Sequence, residues 1–316
     1  MIFPPHLQKG DSVYLVNIAR KGIYDAGVVE KTLNSWGLSV IVGETVTAKG
    51  FCQFSDTADN RLADVQKALD DVSVKAIFFL RGGYGTVQIL DRIDFSAFVN
   101  SPKWLIGYSD ITYLHSHINQ NFGIATVHAT MLSAYATASK IDFESLENIL
   151  FGKSRLQVFA NVESYNFKEV SGELIGGNLS ILHTIIGTDS DMSADGKILV
   201  IEDVFENLTS VERMLWAMKR SGKFDRLKAL LLGDFLIPVK DNETSNCMVA
   251  EYPSPTDQTI QLAFRQMILN FFEGYDFPIV FGLAVGHSTG RNIALEFGAD
   301  VSLKMETTSL HLTYHR

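Results

Sequence analysis

Three residues with reactive side chains stand just beyond apolar runs: Ser109 after Trp104-Leu-Ile-Gly-Tyr108, Glu202 after the ILVI run at 198–201, and His287 after residues 279–283 and Gly286. A serine is a weak nucleophile until an imidazole takes its proton. A carboxylate then holds that imidazole in one tautomer and stabilises its cation. Polar side chains at the ends of buried strands pack poorly and are well placed to line a cleft, so the order Ser…Glu…His is a candidate catalytic set. Each member alone has a plainer reading: an N-capping serine, a strand-end carboxylate in solvent, a loop histidine. Around the serine, Ile106-Gly-Tyr-Ser-Asp-Ile-Thr112 has the layout of a nucleophile elbow, a sharp turn from strand to helix. The second glycine of the G-x-S-x-G form is replaced by Ile111. Asp110 suits a first helical turn, where its charge meets the positive end of the helix dipole.

Arg81-Gly-Gly-Tyr-Gly85 follows another apolar run and admits two functional readings. One is a phosphate cradle of backbone N–H groups, although the lysine and Ser/Thr of a P-loop are absent. The other is an oxyanion hole formed by the N–H groups of Gly83 and Asp110, where one donor is worth roughly 3 kcal/mol in the transition state. A plain glycine turn is the third possibility. Arg81 and Tyr84 are the substrate-binding candidates.

These residues need strands and helices to hold them. Strand-like runs at 12–19, 38–42, 76–80 and the stretch before Ser109 alternate with helical spacing at 25–36, 59–69 and 87–93. That alternation predicts a parallel sheet flanked by helices, with ligands outside the carboxyl ends of its strands. The 81–85 loop and Ser109 follow consecutive strands and are expected at one sheet edge. After residues 123–129 and a helix around 131–138 the rhythm changes. Residues 1–140 are expected to form an α/β domain carrying the nucleophile, 141–168 a linker with helical character only at 142–152, and 169–316 a smaller α/β domain carrying the Glu and His. In the second half Gly176-Gly177 is expected to turn the chain and Asn178 to cap a helix. Further helices are expected at 210–218 and 259–272, and strands at 198–201, 229–232 and 279–283. The segment 238–255 reads as a polar excursion, and short strands at 293–297, 301–305 and 310–314 as a small β-rich unit.

The chain has 316 residues, enough for two domains. Its 36 Asp and Glu against 27 Lys and Arg argue against a nucleic-acid partner. Cys52 and Cys247 are far apart, which fits a reducing compartment. No signal peptide or membrane span is apparent, so a cytoplasmic location without membrane association is expected. His115 and His117 diverge on a predicted helix, and His311 and His315 lie in a terminal strand pattern. His6, His128 and His183 have no ligand-like company, so neither a metal site nor any other cofactor is expected.

Taken together these segments resemble the LD-carboxypeptidase family of serine peptidases. The resemblance runs through Arg81-Gly-Gly-Tyr-Gly85, Ile106-Gly-Tyr-Ser-Asp-Ile-Thr112 and Gly176-Gly-Asn-Leu-Ser180. It continues in Ile201-Glu-Asp-Val204, Val211-Glu-Arg-Met-Leu215 and Gly286-His287. It implies Ser109 as nucleophile, His287 as general base, Glu202 as its orienting carboxylate, and backbone donors near Gly83 and at Asp110. It also implies a homodimer. Members of the family remove terminal D-alanine from murein tetrapeptides inside the bacterial cell, and a related branch hydrolyses microcin-type peptidyl nucleotides. The 176–187 segment is more similar to the murein branch. Two stretches depart from the family pattern: Asn17-Ile-Ala-Arg-Lys21, where relatives carry a small-residue turn with proline, and the 238–255 excursion. The expected activity is release of D-alanine from an L,D peptide bond. Hydrolysis of peptidyl nucleotides is the alternative within hydrolases, and a non-catalytic small-molecule binding protein the alternative outside them.

Overall fold

A computed structural model describes residues 1–238, 258–288 and 291–315. The chain opens with β1 (Ser12–Val16), α1 (Ala26–Ser35), β2 (Ser39–Val42), α2 (Glu44–Thr47), α3 (Ala58–Asp70) and β3 (Val74–Phe79). After α4 (Ser96–Asn100) come β4 (Trp104–Gly107), α5 (Thr112–Phe122) and β5 (Thr126–His128). Helix starts follow local chemistry: Asp25 accepts from the Val28 N–H at 3.1 Å and Thr57 from the Asn60 N–H at 3.2 Å. Gly123, left-handed at φ 60°, ends α5. The helical pattern expected at 87–93 is instead two 3-10 turns, Thr86–Gln88 and Leu90–Arg92, and that expected around 131–138 shrinks to one at Leu132–Ala134.

The next elements are α6 (Lys140–Leu150), β6 (Leu156–Phe159), β7 (Glu163–Tyr165), β8 (Val170–Asn178), α7 (Leu179–Thr184), β9 (Ile198–Val204), α8 (Leu208–Arg220) and β10 (Ala229–Leu236). The chain closes with α9 (Gln258–Phe271), β11 (Ile279–Phe281), β12 (Leu295–Phe297), β13 (Asp300–Glu306) and β14 (Ser309–His315). Two sheets result, one in the order β12-β5-β4-β3-β1-β2 and one in the order β6-β14-β13-β8-β9-β10-β11-β7. In the first, β2, β1, β3, β4 and β5 are parallel, and β12 lies antiparallel on β5. In the second, β8 to β11 are parallel and the remaining pairs are antiparallel. This is the α/β class read from the alternation.

Several local expectations change. Gly176 and Gly177 do not turn the chain; they lie inside β8, at φ 149° and 138°. A Cβ on Gly176 would stand 1.9 Å from the Val200 carbonyl oxygen, and one on Gly177 would stand 2.5 Å from Thr112. The glycines therefore permit close strand and helix approach. The polar 154–168 stretch supplies β6 and β7, the two edge strands of the second sheet. The three C-terminal strands do not form a separate unit, since β12 joins the first sheet while β13 and β14 join the second. The 238–255 excursion lies, from position 239 onward, outside the described residues, as does Cys247.

Candidate active site

Strand β4 is fully buried, with Trp104 and Leu105 at 0% exposure, and it delivers Ser109 just beyond its carboxyl end. Ser109 has φ 59°, in the left-handed region that a residue with a Cβ enters at a cost, as expected of a tight elbow. Gly107 leaves room for Ile111, whose side chain would stand 3.0 Å from any Cβ there. The bulky residue at the missing glycine position thus fills the space that Gly107 vacates. His115 on α5 braces the same turn: burial pushes its pKa down to about 3, so the neutral ring holds the Gly107 carbonyl through Nε2 at 2.9 Å.

The 81–85 loop, at the end of neighbouring β3, packs directly on the elbow. A Cβ on Gly82 would lie 2.9 Å from the Ser109 Cβ and 3.1 Å from the Asp110 nitrogen. The buried Asp110 carboxylate accepts the Thr86 N–H at 2.8 Å, tying loop and elbow together. Burial, only partly offset by that bond and by Arg61, raises its pKa. The charge expected to meet a helix dipole serves as this tie.

Glu202 comes from β9 and His287 from the segment after β11, both in the second sheet. His287 Nδ1 lies 2.6 Å from Glu202 Oε2, with the Glu202 side chain fully buried and that of His287 at 11% exposure. Gly286 lets the pair close, because a Cβ there would stand 3.0 Å from Glu202 Oε2. The histidine segment is pinned on both sides. Gly286 N–H donates to Asn292 Oδ1 at 3.0 Å, and Ser288 N–H donates to Asp234 Oδ2 at 3.0 Å. Burial alone would lower the His287 pKa, but the charge and hydrogen bond of Glu202, with Asp203 and Asp234 nearby, raise it. Burial would raise Glu202, but the positive His287 and its hydrogen bonding keep it below the usual carboxylate range. Asp203 and Asp234 are each pushed up to about 6, first by burial and also by the charge of Glu202.

Ser109, Asp110, Gly83, Arg81 and His287 line one cleft of about 590 Å³. Ser109 and His287 are contributed by different sheets, and the ring of Tyr108, the residue before the serine, lies 4.8 Å from that of His287. Glu202 stands behind His287. Tyr84 does not line this cleft: it is 44% exposed and its ring packs against Phe54 at 6.0 Å. Its neighbour Gly85 turns the loop back toward Ala19, which carries position 84 outward.

Sequence reading missed His128. It is fully buried at the end of β5, and its Nε2 stands 4.0 Å from the second oxygen of Glu202. That is beyond direct hydrogen-bond length, and His128 adds to the pull that keeps Glu202 low. The Glu partner comes from the other sheet, so no spacing in the sequence announces it. Asn178 and Ser180 were also overlooked as cleft residues; both donate to Asp203, at 3.2 Å and 2.7 Å.

Comparison with known proteins adds to this geometry. Residues 16–129 match the LD-carboxypeptidase N-terminal domain and residues 171–303 the LD-carboxypeptidase C-terminal domain. A probable murein peptide carboxypeptidase of Bacillus subtilis (strain 168) is 32% identical over 315 residues, covering 95% of this chain and 91% of the relative. The chain belongs to the LD-carboxypeptidase family. Among solved structures it shares its fold with an MccF-like protein from Bacillus anthracis at TM-score 0.83 and 20% identity, over the whole of both chains. It also shares the fold of a muramoyltetrapeptide carboxypeptidase from Oxalobacter formigenes, at TM-score 0.76 and 23% identity, over 96% of this chain and 99% of that one. Among the described residues no helix is long and apolar enough to cross a membrane.

Proposed function

We propose that the protein is a serine LD-carboxypeptidase that releases terminal D-alanine from murein tetrapeptides in cell-wall recycling. The observation that carries this reading is the 2.6 Å contact of His287 with buried Glu202, beside a strained Ser109 on the same cleft. With Nδ1 engaged by Glu202, Nε2 of His287 is the nitrogen that accepts the Ser109 proton. The serine oxygen attacks the carbonyl of the penultimate residue, and backbone N–H groups of Gly83 and Asp110 hold the oxyanion. The intermediate collapses, and the amine of D-alanine leaves with the proton from His287. Water, deprotonated by the same ring, then attacks the ester and frees the shortened peptide and Ser109.

This chemistry asks for no metal or other cofactor. In this reading residues 1–140 carry the nucleophile and residues 169–316 the Glu–His pair. The protein works in the cytoplasm as a homodimer, with neither nucleic acid nor membrane as partner; sedimentation velocity reads the mass. Purified protein incubated with murein tetrapeptide is expected to release free D-alanine at the same rate with and without chelator. Loss of the activity on chelation contradicts the mechanism. Faster turnover of a peptidyl nucleotide than of tetrapeptide, compared as kcat/KM, replaces the substrate.

A further inference from the structure

The loop after β1 is interlaced with the 81–85 loop. The stem of Arg20 lies over Gly83, where a Cβ would meet its Cδ at 2.7 Å. The stem of Arg81 lies over Gly22, where a Cβ would also meet the arginine Cδ at 2.7 Å. Each arginine is thus laid across the other's loop. Beneath them the buried Arg61 donates through one nitrogen to the Ile18 carbonyl at 2.6 Å and the Gly85 carbonyl at 3.0 Å, fastening both loops to one point. Its guanidinium also stacks 4.7 Å from the Phe54 ring. The two loops are therefore held in register from below.

Above that staple, Arg20 and Arg81 line the cleft that holds Ser109. Their side-chain bonds among the described residues go to neutral acceptors, Arg20 to Gln53 Oε1 at 3.2 Å and Arg81 to the Lys21 carbonyl at 3.1 Å. Neither forms an ion pair among the described residues. Of the cleft's carboxylates, Asp110, Asp142 and Asp203 are engaged by protein N–H or O–H donors, and Glu206 remains. A guanidinium offers five donors in a planar fork that matches a carboxylate, and most of these donors are unspent here.

We propose that Arg20 and Arg81, interlaced over Arg61, form the subsite that binds the free terminal carboxylate of the peptide. The terminal carboxylate lies one residue beyond the scissile carbonyl, and successive Cα atoms are about 3.8 Å apart, so its receptor must flank the nucleophile. Gly82, the residue after Arg81, packs on Ser109 itself. Arg20, contributed by the loop after β1, makes the subsite a two-arginine clamp. This inference rests on the carboxypeptidase reading above.

The test is steady-state kinetics on murein tetrapeptide and on the same peptide ending in a carboxamide, with wild type, Arg20→Gln, Arg20→Lys and Gly22→Ala. Wild type is expected to favour the acid over the amide by about 100-fold or more in kcat/KM, since charge-assisted bonds to a carboxylate are the strong ones. Arg20→Gln should cut that ratio at least tenfold, with the loss carried in KM for the acid. Arg20→Lys should recover part of it. Gly22→Ala, which pushes the flexible Arg81 stem aside, should also lower the ratio. An unchanged acid-to-amide ratio in both Arg20→Gln and Gly22→Ala overturns the subsite. If wild type releases no D-alanine at all, the functional reading falls instead. The subsite is then judged by calorimetry of N-acetyl-D-alanine against its amide: tighter binding of the acid that Arg20→Gln removes supports it, and equal binding overturns it.

Discussion

At the residue scale the site rests on one buried carboxylate serving a histidine that is itself surrounded by acids. Glu202, Asp203 and Asp234 all raise the His287 pKa, against the lowering effect of burial. On the proposed mechanism a protonated ring cannot accept the Ser109 proton, so activity is expected to grow as pH rises through that pKa. The acid limb of the kcat/KM profile is therefore expected at an apparent pKa above the ordinary 6.5 of histidine. Asp234→Asn keeps an acceptor for the Ser288 N–H but removes a charge, and it should move the limb to lower pH; an unmoved limb or a rise would count against the assignment. His128, lodged on the far side of Glu202, invites a second variant. His128→Ala opens a cavity and takes away a polar neighbour, and is expected to cut kcat by about tenfold or more, since misplacing a reacting group by about 1 Å can cost on the order of 100-fold. Ser109, Glu202 and His287 were recognisable as candidates because each follows an apolar run. His128 was not, because its partner arrives from a different sheet. Tyr84 lies away from the cleft wall, because adjacency in sequence to Gly83 does not carry over to it.

At the element scale the elbow depends on what packs beneath and beside it. Thr112, at the start of α5, touches β8, and its Oγ1 accepts the Asn178 N–H at 3.0 Å. Gly177 makes that approach possible, and Gly176 lets β9 close on β8. Gly176→Ala would drive a methyl into the Val200 carbonyl from a backbone that L-residues avoid. A loss of roughly 2–5 kcal/mol is expected, from strain and overpacking combined, read as a shifted denaturant midpoint. A midpoint unchanged within error would show that β8 and β9 can separate freely. Periodicity identified the long helices and central strands, because burial of one face imposes it. It failed at the glycine pair, where turn and close contact demand the same residue. It failed again at 87–93, where apolar spacing was present but the chain closes into 3-10 turns over the buried Arg61.

At the scale of the whole molecule the first of the two sheets is not self-sufficient. The first takes its edge strand β12 from near the C-terminus, where Leu295 pairs with His128. The serine and the Glu–His pair come from different sheets. Residues 1–140 expressed alone therefore lack β12, Glu202 and His287, and are expected to release no D-alanine and to expose the β5 edge, detectable as aggregation by light scattering. A soluble and active fragment would contradict this interdependence. The order of segments along the chain suggests a two-part plan, with the serine in the first half and the Glu and His in the second. The return of β12 to the first sheet was not readable, because a strand of three residues carries no signal of its partner. On the proposed mechanism Ser109 forms an acyl-enzyme on the way to releasing D-alanine. The most direct measurement is D-alanine release from murein tetrapeptide by wild type and Ser109→Ala, with intact-protein mass spectrometry of quenched wild-type reactions. Release by wild type, none by the variant, and an adduct of the shortened peptide on Ser109 are expected. Undiminished release by Ser109→Ala contradicts the mechanism.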